Sequence, residues 1–153
     1  MKQKRIRWAI LALALVMLLG ILWTALQGSP LVRGYAGLIF RWNRTDFDSA
    51  AVQAVEQGSG QGISHPFGVR DVTFWNYEGT AVEFSIGGSG MGSSTTYWGL
   101  QYVPSGERPG FQGSRLEGWI PDRDGWRWEE RGGDNRCYIQ ALDEHWYYYE
   151  MSF

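Results

Sequence analysis

The sequence is poor in the residues that build metal sites and covalent cross-links. Among 153 residues it has one cysteine, Cys137, and two histidines, His65 and His145. A single cysteine excludes a disulfide within the chain, and with it a disulfide-stapled scaffold. A zinc site needs three or four ligands, and these few side chains offer no pair at ligand spacing. We therefore predict no bound metal and no cofactor.

Lysine is absent after residue 4, and positive charge is scarce beyond the first residues. After residue 7 the chain has ten arginines against sixteen acidic residues, a net charge of −6. A surface of that sign repels nucleic acid and anionic lipid headgroups, so we predict that the chain binds no nucleic acid. Aromatic residues are abundant, with nine Trp, eight Tyr and seven Phe. That much apolar surface excludes a disordered chain.

The N-terminus combines a basic tail with a long apolar run. Residues 1–7 carry four cations, and residues 8–27 carry no charge at all. Twenty helical residues extend about 30 Å, the thickness of the hydrocarbon layer of a bilayer. Trp8 and Trp23 lie near the ends of the run, where indole rings prefer the headgroup level. The pattern predicts a transmembrane signal-anchor helix over 8–27, with the lipid bilayer as its partner.

A cleaved signal peptide is the alternative interpretation of this N-terminus, because it has the same basic start. Its apolar core is usually 7–15 residues long, which is shorter than the run over 8–27. The basic tail is expected to remain in the cytoplasm. We therefore predict a single-pass cell-membrane protein with a cytoplasmic tail at 1–7, a juxtamembrane segment at 28–45 and an extracytoplasmic domain at 46–153.

The extracytoplasmic part has the pattern of an α+β fold. Thr45 is a suitable cap for a short amphipathic helix that ends at Gly58. After Gly68 the sequence alternates between apolar and polar residues, and Glu78-Gly79 is a plausible hairpin turn. Further strands are predicted at 97–103, 115–120, 125–130, 136–142 and 145–153. These short connections favour one helix packed on one face of an antiparallel sheet of about six or seven strands.

Two aromatic clusters stand out among the predicted strands. Trp126 and Trp128 lie two residues apart, so both indole rings project from the same face of a strand. Trp146 and Tyr148 share a face of the last strand for the same reason. These four residues are the predicted ligand-binding set, since Trp and Tyr bury large areas and keep a polar tip for hydrogen bonds. The alternative is that they fill a core that has few helices to cover it.

Two loops resemble ligand-binding motifs without completing them. The segment 87–94 is rich in glycine, but strand-like residues follow it rather than the helix that a phosphate site needs. We predict a mobile connecting loop there. The segment Asp122-Arg123-Asp124-Gly125 resembles the start of a calcium loop, but the later ligands are missing. We predict that it forms a hairpin turn.

Catalytic constellations are sparse. Cys137 and His145 could form a nucleophilic pair if their strands are adjacent, although a lone strand cysteine is usually a small buried side chain. A glycosidase would use a pair of carboxylates at a set separation. Four glutamates are candidates for that role: Glu117, Glu129, Glu130 and Glu150. Because none of these patterns is specific, we predict no catalytic residue.

The C-terminal half resembles a bacterial group. The segments that carry the resemblance are 97–104, 124–128, 133–135 and 146–153. They are similar to small uncharacterised membrane-anchored proteins of clostridia-type bacteria, over residues 71–153 and in the layout of the anchor. The resemblance implies a bacterial setting and a chain that ends at Phe153. That group has no assigned activity, so the resemblance implies no ligand and no site residue.

These patterns favour a non-enzymatic, membrane-tethered extracytoplasmic module. It would bind an envelope protein or another envelope component through an aromatic-rich sheet face. A carbohydrate or peptidoglycan binder that uses Trp126, Trp128, Trp146 and Tyr148 is the second hypothesis, because flat indole faces suit sugar rings. An envelope hydrolase is the third, less favoured hypothesis.

Overall fold

The computed structural model of the chain describes residues 8, 11–18, 30–91 and 94–153. The predicted anchor over 8–27 and the basic tail over 1–7 lie largely outside these residues; of the anchor, residues 8 and 11–18 are described, and they are helical. Within the described residues, no helix has both the length and the apolar character needed to cross a bilayer.

Two helices cover the sheet where one was predicted. Helix α1 runs over Pro30–Trp42 and helix α2 over Arg44–Gln57, with a single non-helical residue, Asn43, between them. The Nδ2 of Asn43 donates to the carbonyl of Ile39 at 2.9 Å, which closes the end of α1. Helix α1 lies within the predicted juxtamembrane segment, 28–45, and the sequence analysis did not predict it. Its apolar residues Ala36, Ile39 and Phe40 recur at helical spacing and enter the core.

Helix α2 is the predicted helix, and its end is confirmed. Gly58 adopts the left-handed conformation with φ of 60°, and its N–H and the next one bond to carbonyls of the last helical turn. Phe47, Ala50 and Ala54 form the buried face of this helix. Thr45 lies inside the helix rather than at its cap position, because Asn43 begins the turn.

The sheet has seven antiparallel strands, as predicted. They are β1 (Asp71–Asn76), β2 (Thr80–Met91), β3 (Ser94–Tyr102), β4 (Ile120–Asp122), β5 (Gly125–Glu129), β6 (Arg136–Ala141) and β7 (Trp146–Ser152). Their order across the sheet is β1-β2-β3-β7-β6-β5-β4. The hairpins at Glu78-Gly79 and at Asp122–Gly125 are both confirmed.

Two predicted segments differ from the structure. The glycine-rich segment that was predicted as a loop continues β2 as far as Met91, paired with β3. Gly87 permits this because the Trp98 ring lies where its Cβ would be. The segment 115–119, predicted as strand, is not a strand. It belongs to a long connection, residues 103–119, that crosses the sheet surface, and it has no neighbouring strand edge to pair with.

The two faces of the sheet are covered by different structures. On the helix-covered face, α1 and α2 pack on one set of strand side chains, among them Phe84, Trp146 and Tyr148. On the loop-covered face, the connection 103–119, here named the cover loop, lies over the other set, among them Tyr147 and Tyr149. Alternation along β7 sends successive aromatic residues to opposite faces.

Candidate binding surface on the loop-covered face

Three hydrogen bonds attach the cover loop to the sheet, through the carbonyls of Gly106 and Gly113. The hydroxyl of Tyr147 donates to the carbonyl of Gly106 at 2.7 Å. The N–H groups of Glu78 and Gly79 both donate to the carbonyl of Gly113, at 3.1 and 3.0 Å. Gly113 has φ of 76°, a conformation that favours glycine, and a Cβ there would press on Trp75. The loop therefore has a defined path over the sheet.

Half-buried aromatic side chains surround this loop. Trp126 and Trp128 project from β5, and Phe111 and Trp119 project from the cover loop. The rings of Phe111 and Trp128 lie edge to face, with centroids 5.6 Å apart. The guanidinium of Arg108 lies 5.1 Å from the centre of the Trp126 ring. Each of these indole rings therefore keeps part of its surface in water while the rest is held in place.

An open groove of about 570 Å³ lies along the cover loop. Its lining residues are Glu107, Arg108, Arg115, Leu116, Glu117, Gly118 and Trp119. Arg115 forms an ion pair with Glu107 at 3.1 Å, and both side chains are well exposed. The groove thus presents charges of both signs beside an indole face. That arrangement suits a ligand with hydrogen-bonding groups and a flat apolar surface.

The structure separates the four residues that were predicted to bind a ligand. In the register of the sheet, Trp126 lies beside Ile139, which lies beside Tyr149. Tyr148, one residue away from Tyr149, therefore points to the opposite face. Trp126 and Trp128 lie on the loop-covered face, next to the groove.

Trp146 and Tyr148 are core residues of the helix-covered face. They are 1% and 0% exposed. Trp146 packs between Phe40 and Phe84, with ring centroids at 5.0 and 5.4 Å. Its Nε1 donates to Asp48 of α2 at 2.9 Å. For these two residues the alternative interpretation, that aromatics fill the core, describes the structure.

A partly buried carboxylate, that of Glu83, lies on the loop-covered face of the sheet. The Tyr149 hydroxyl donates to Glu83 Oε1 at 2.8 Å, and the Trp75 Nε1 donates to Oε2 at 3.2 Å. Burial raises the pKa of Glu83, although these hydrogen bonds oppose the rise. The adjacent Gln101 is fully buried, and its Oε1 has no hydrogen-bond partner among the described residues. Alternation along β2 turns Glu83 away from Val82 and Phe84, so its carboxylate lies on the loop-covered face.

A second polar cluster joins α1 to the other end of the sheet. Arg33 bonds to Asp124 at 3.1 Å and lies 4.4 Å above the ring of Tyr138. The hydroxyl of Tyr138 donates to Asp124 at 2.7 Å, and this bond is the main reason that the pKa of Asp124 is lowered. Arg33 is also within 3.8 Å of Glu150. The sequence analysis missed this cluster because Arg33 lies at least 91 residues from its other members in the chain.

The structure does not bring together the residues of the nucleophilic pair. Cys137 lies beside Met151 in the sheet, six positions along β7 from His145, or about 20 Å away. Cys137 is buried, and burial raises the pKa of its thiol. Of the four candidate glutamates, Glu129 pairs with Arg127 and Glu130 accepts from Asn135, both at the surface. Within the described residues, no three His, Cys, Asp or Glu side chains are placed to hold a metal ion.

The loop-covered face is thus the only face of the sheet on which predicted site residues, Trp126 and Trp128, reach solvent within the described residues. Comparisons of this chain with protein families, with curated proteins and with solved structures give no match. The resemblance of residues 71–153 to clostridial membrane-anchored proteins therefore stays a prediction.

Proposed function

We propose that this chain is a membrane-tethered extracytoplasmic module that binds an envelope component at the groove of the cover loop. The observation that carries the proposal is that Trp119 lines that groove and Arg108, which also lines it, contacts the half-buried ring of Trp126. Aromatic and arginine side chains dominate binding energy in interfaces. The sheet beneath holds these side chains rigidly, and a rigid support is what a preformed binding site needs.

An envelope protein is the partner that the groove favours. Arg108, Arg115, Glu107 and Glu117 place both signs of charge around the indole of Trp119. Mixed charges around an aromatic centre are typical of a protein-binding surface with a polar rim.

Site-specific cross-linking in intact membranes tests this partner. A photoreactive amino acid at Trp119 is expected to capture one partner that the same group at Val52, on the outer side of α2, does not capture. The captured partner should then bind the purified full-length chain in detergent, and Trp126→Ala should weaken that binding at least tenfold. Equal capture at both positions, or unchanged affinity of the Trp126→Ala variant, would contradict the proposal.

A glycan is the second candidate, because the half-exposed indole faces of Trp119 and Trp126 could stack on sugar rings. Calorimetric titration of the full-length chain with soluble peptidoglycan fragments distinguishes it from a protein partner. Heat of binding that disappears in Trp119→Ala but persists in Val52→Ala would favour the glycan. No heat at millimolar fragment concentration would leave the protein partner as the proposal.

The membrane tether rests on the basic residues 1–7 and the uncharged run 8–27. A run of this length and composition, preceded by cations, is typical of a helix whose tail stays in the cytoplasm. Protease treatment of intact cells is expected to digest the domain after residue 30. A domain that is digested only after the cells are lysed would show that the orientation is wrong.

A further inference from the structure

Helix α1 is apolar on two sides. One side carries Ala36, Ile39 and Phe40 into the core. The other side carries four exposed apolar residues, here named the outer stripe: Leu31 (67% exposed), Tyr35 (50%), Leu38 (50%) and Trp42 (82%). Their spacing of four, three and four residues places them within about 60° of one another around the helix. Single exposed apolar residues are common, but a continuous stripe indicates a contact surface.

The charges of α1 suit an apolar surface with polar groups beside it. The helix contains no Asp or Glu. Arg33 is turned toward the sheet by Asp124. Arg41 is exposed at the side of the outer stripe, and it forms no ion pair within the described part of the chain. A long cationic side chain in that position can extend its guanidinium to phosphate groups while its stem stays in apolar surroundings.

The position of α1 in the chain decides what covers the outer stripe. The apolar run ends at Gln27, and Leu31 follows it by four residues. Four residues reach at most about 14 Å even when fully extended. If the run spans the bilayer, α1 therefore begins no farther than about 14 Å from the end of the hydrocarbon layer. The membrane surface is thus within reach of the outer stripe.

We infer that α1 lies along the bilayer surface with the outer stripe inserted at the boundary between headgroups and acyl chains. This inference rests on the proposed membrane tether. Tyr35 and Trp42 would occupy the headgroup level, which tyrosine and tryptophan prefer, and Leu31 and Leu38 would reach the acyl chains. The attraction is apolar rather than ionic, because the chain beyond residue 7 has a net charge of −6.

This arrangement also orients the domain. The sheet separates α1 from the cover loop, since they pack on opposite faces. With α1 on the bilayer, the groove beside Trp119 lies on the side of the sheet away from α1. The binding surface would then be turned toward the envelope rather than toward the lipid.

Depth-dependent fluorescence quenching tests the inference on the full-length chain in phosphatidylcholine vesicles. Single thiols are placed at Leu38, Trp42, Val16 and Val52 and labelled with an environment-sensitive dye, and lipids that carry a nitroxide on the acyl chain serve as quenchers. Native Cys137 is 1% exposed, so the introduced thiols take the label. We expect several-fold stronger quenching at positions 38 and 42 than at position 52, and little change when salt is raised.

Each other outcome overturns one proposal. Strong quenching at Val16 with none at positions 38 and 42 would overturn the surface contact and leave the tether. No quenching at Val16 would overturn the tether itself. A blue-shifted dye at position 38 that the nitroxide lipids do not quench would show that protein covers the outer stripe. Equal quenching at positions 38 and 52 would show that the whole domain is immersed, which also overturns the inference.

A charge-insertion pair gives an independent measurement. The double variant Leu38→Glu with Trp42→Glu changes exposed residues. The thermal midpoint of its unfolding is therefore expected to equal that of the parent chain. Quenching of a dye at Tyr35→Cys should fall several-fold in this variant. The matched control, Val52→Glu, should leave that quenching unchanged. Equal quenching in the double variant and the parent would overturn the inference.

Discussion

The two faces of the sheet bury aromatic residues under covers of different kinds. On the helix-covered face, Phe47 and Phe84 are fully buried and their rings lie 5.4 Å apart. On the loop-covered face, Trp119, Trp126 and Trp128 are only half-buried. The same face holds a partly buried carboxylate at Glu83 and a buried amide at Gln101. A helix satisfies its own backbone and can present a continuous apolar side, whereas a loop must bring polar groups with it. The first face is therefore fully covered, whereas the second leaves part of its indole surface in water.

The largest effect is expected from removing the central indole of the helix-covered face. Trp146→Ala should lower the free energy of unfolding by about 3–5 kcal/mol, because it opens a cavity among packed rings and leaves Asp48 without its donor. Trp126→Ala should lower the free energy of unfolding by less, about 1–2 kcal/mol, since part of that ring is already in water. Denaturant unfolding of the two variants measures both values. Equal losses of unfolding free energy in the two variants would contradict the distinction between the two faces.

The next effect concerns the ion pair between α1 and the sheet. Arg33→Ala should lower the free energy of unfolding by about 2 kcal/mol. The change leaves Glu150 and Asp124 without their cation and removes the side chain that packs on Tyr138. The matched control is Arg127→Ala, which removes a surface pair with Glu129 and should cost less than about 0.5 kcal/mol. Thermal unfolding compares them. A similar cost for both would mean that the helix-covered face gains nothing from this contact.

The free energy of unfolding is expected to depend on pH through Glu83, which lies on the loop-covered face. The pKa of Glu83 is higher in the folded chain than in the unfolded chain, because burial disfavours its charge. Folding therefore retains a proton that the unfolded chain releases, and stability falls as pH rises from the ordinary carboxyl pKa through the raised one. Glu83→Gln should remove this fall, while losing less than about 1 kcal/mol at pH 4.

Unfolding of the wild type and the Glu83→Gln variant from pH 4 to pH 8 measures that difference. The free energy of unfolding of the variant, relative to that of the wild type, should increase steadily as pH rises. Parallel curves of unfolding free energy against pH would show that folding does not raise the pKa of Glu83. Glu130→Gln, at an exposed turn, serves as the control and should leave the curve of the wild type unchanged.

The smallest effect concerns the cation over Trp126. Arg108→Ala should lower the free energy of unfolding by about 0.5 kcal/mol, as expected for an exposed contact between a guanidinium and an indole. Arg131→Ala, at an exposed turn position, should have no effect on unfolding. If Arg108→Ala costs more than about 2 kcal/mol, the cover loop contributes to the core more than its exposure indicates.

Local patterns accounted for most of the sheet. Alternation predicted that Trp126 and Trp128 share a face, and turn residues predicted the hairpin at Asp122–Gly125. These features depend on neighbours in sequence, so they can be derived from short segments. The face that each strand turns to the helices depends on register, and a shift of one residue reverses it. For that reason the grouping of Trp146 with Trp126 in one site could not be judged from the sequence.

Helix α1 and the partly buried carboxylate of Glu83 also could not be derived from short segments of the sequence. Arginine and glycine residues interrupt the segment 30–42, and only its packing on β7 makes Ile39 and Phe40 core residues. Glu83 has the sequence pattern of a surface residue, and it is partly buried because Trp75, Gln101 and Tyr149 of other strands surround its carboxylate. Gln101 and Tyr149 are distant from residue 83 in the chain, so no local pattern indicates these contacts.

The sequence by itself determined an apolar N-terminal run, an antiparallel sheet of about six or seven strands and a surplus of aromatic residues, because period and composition are local properties. Only the tertiary structure decided which aromatics are core and which meet water. That choice depends on strand register and on what covers each face, and both arise from contacts between residues far apart in the chain.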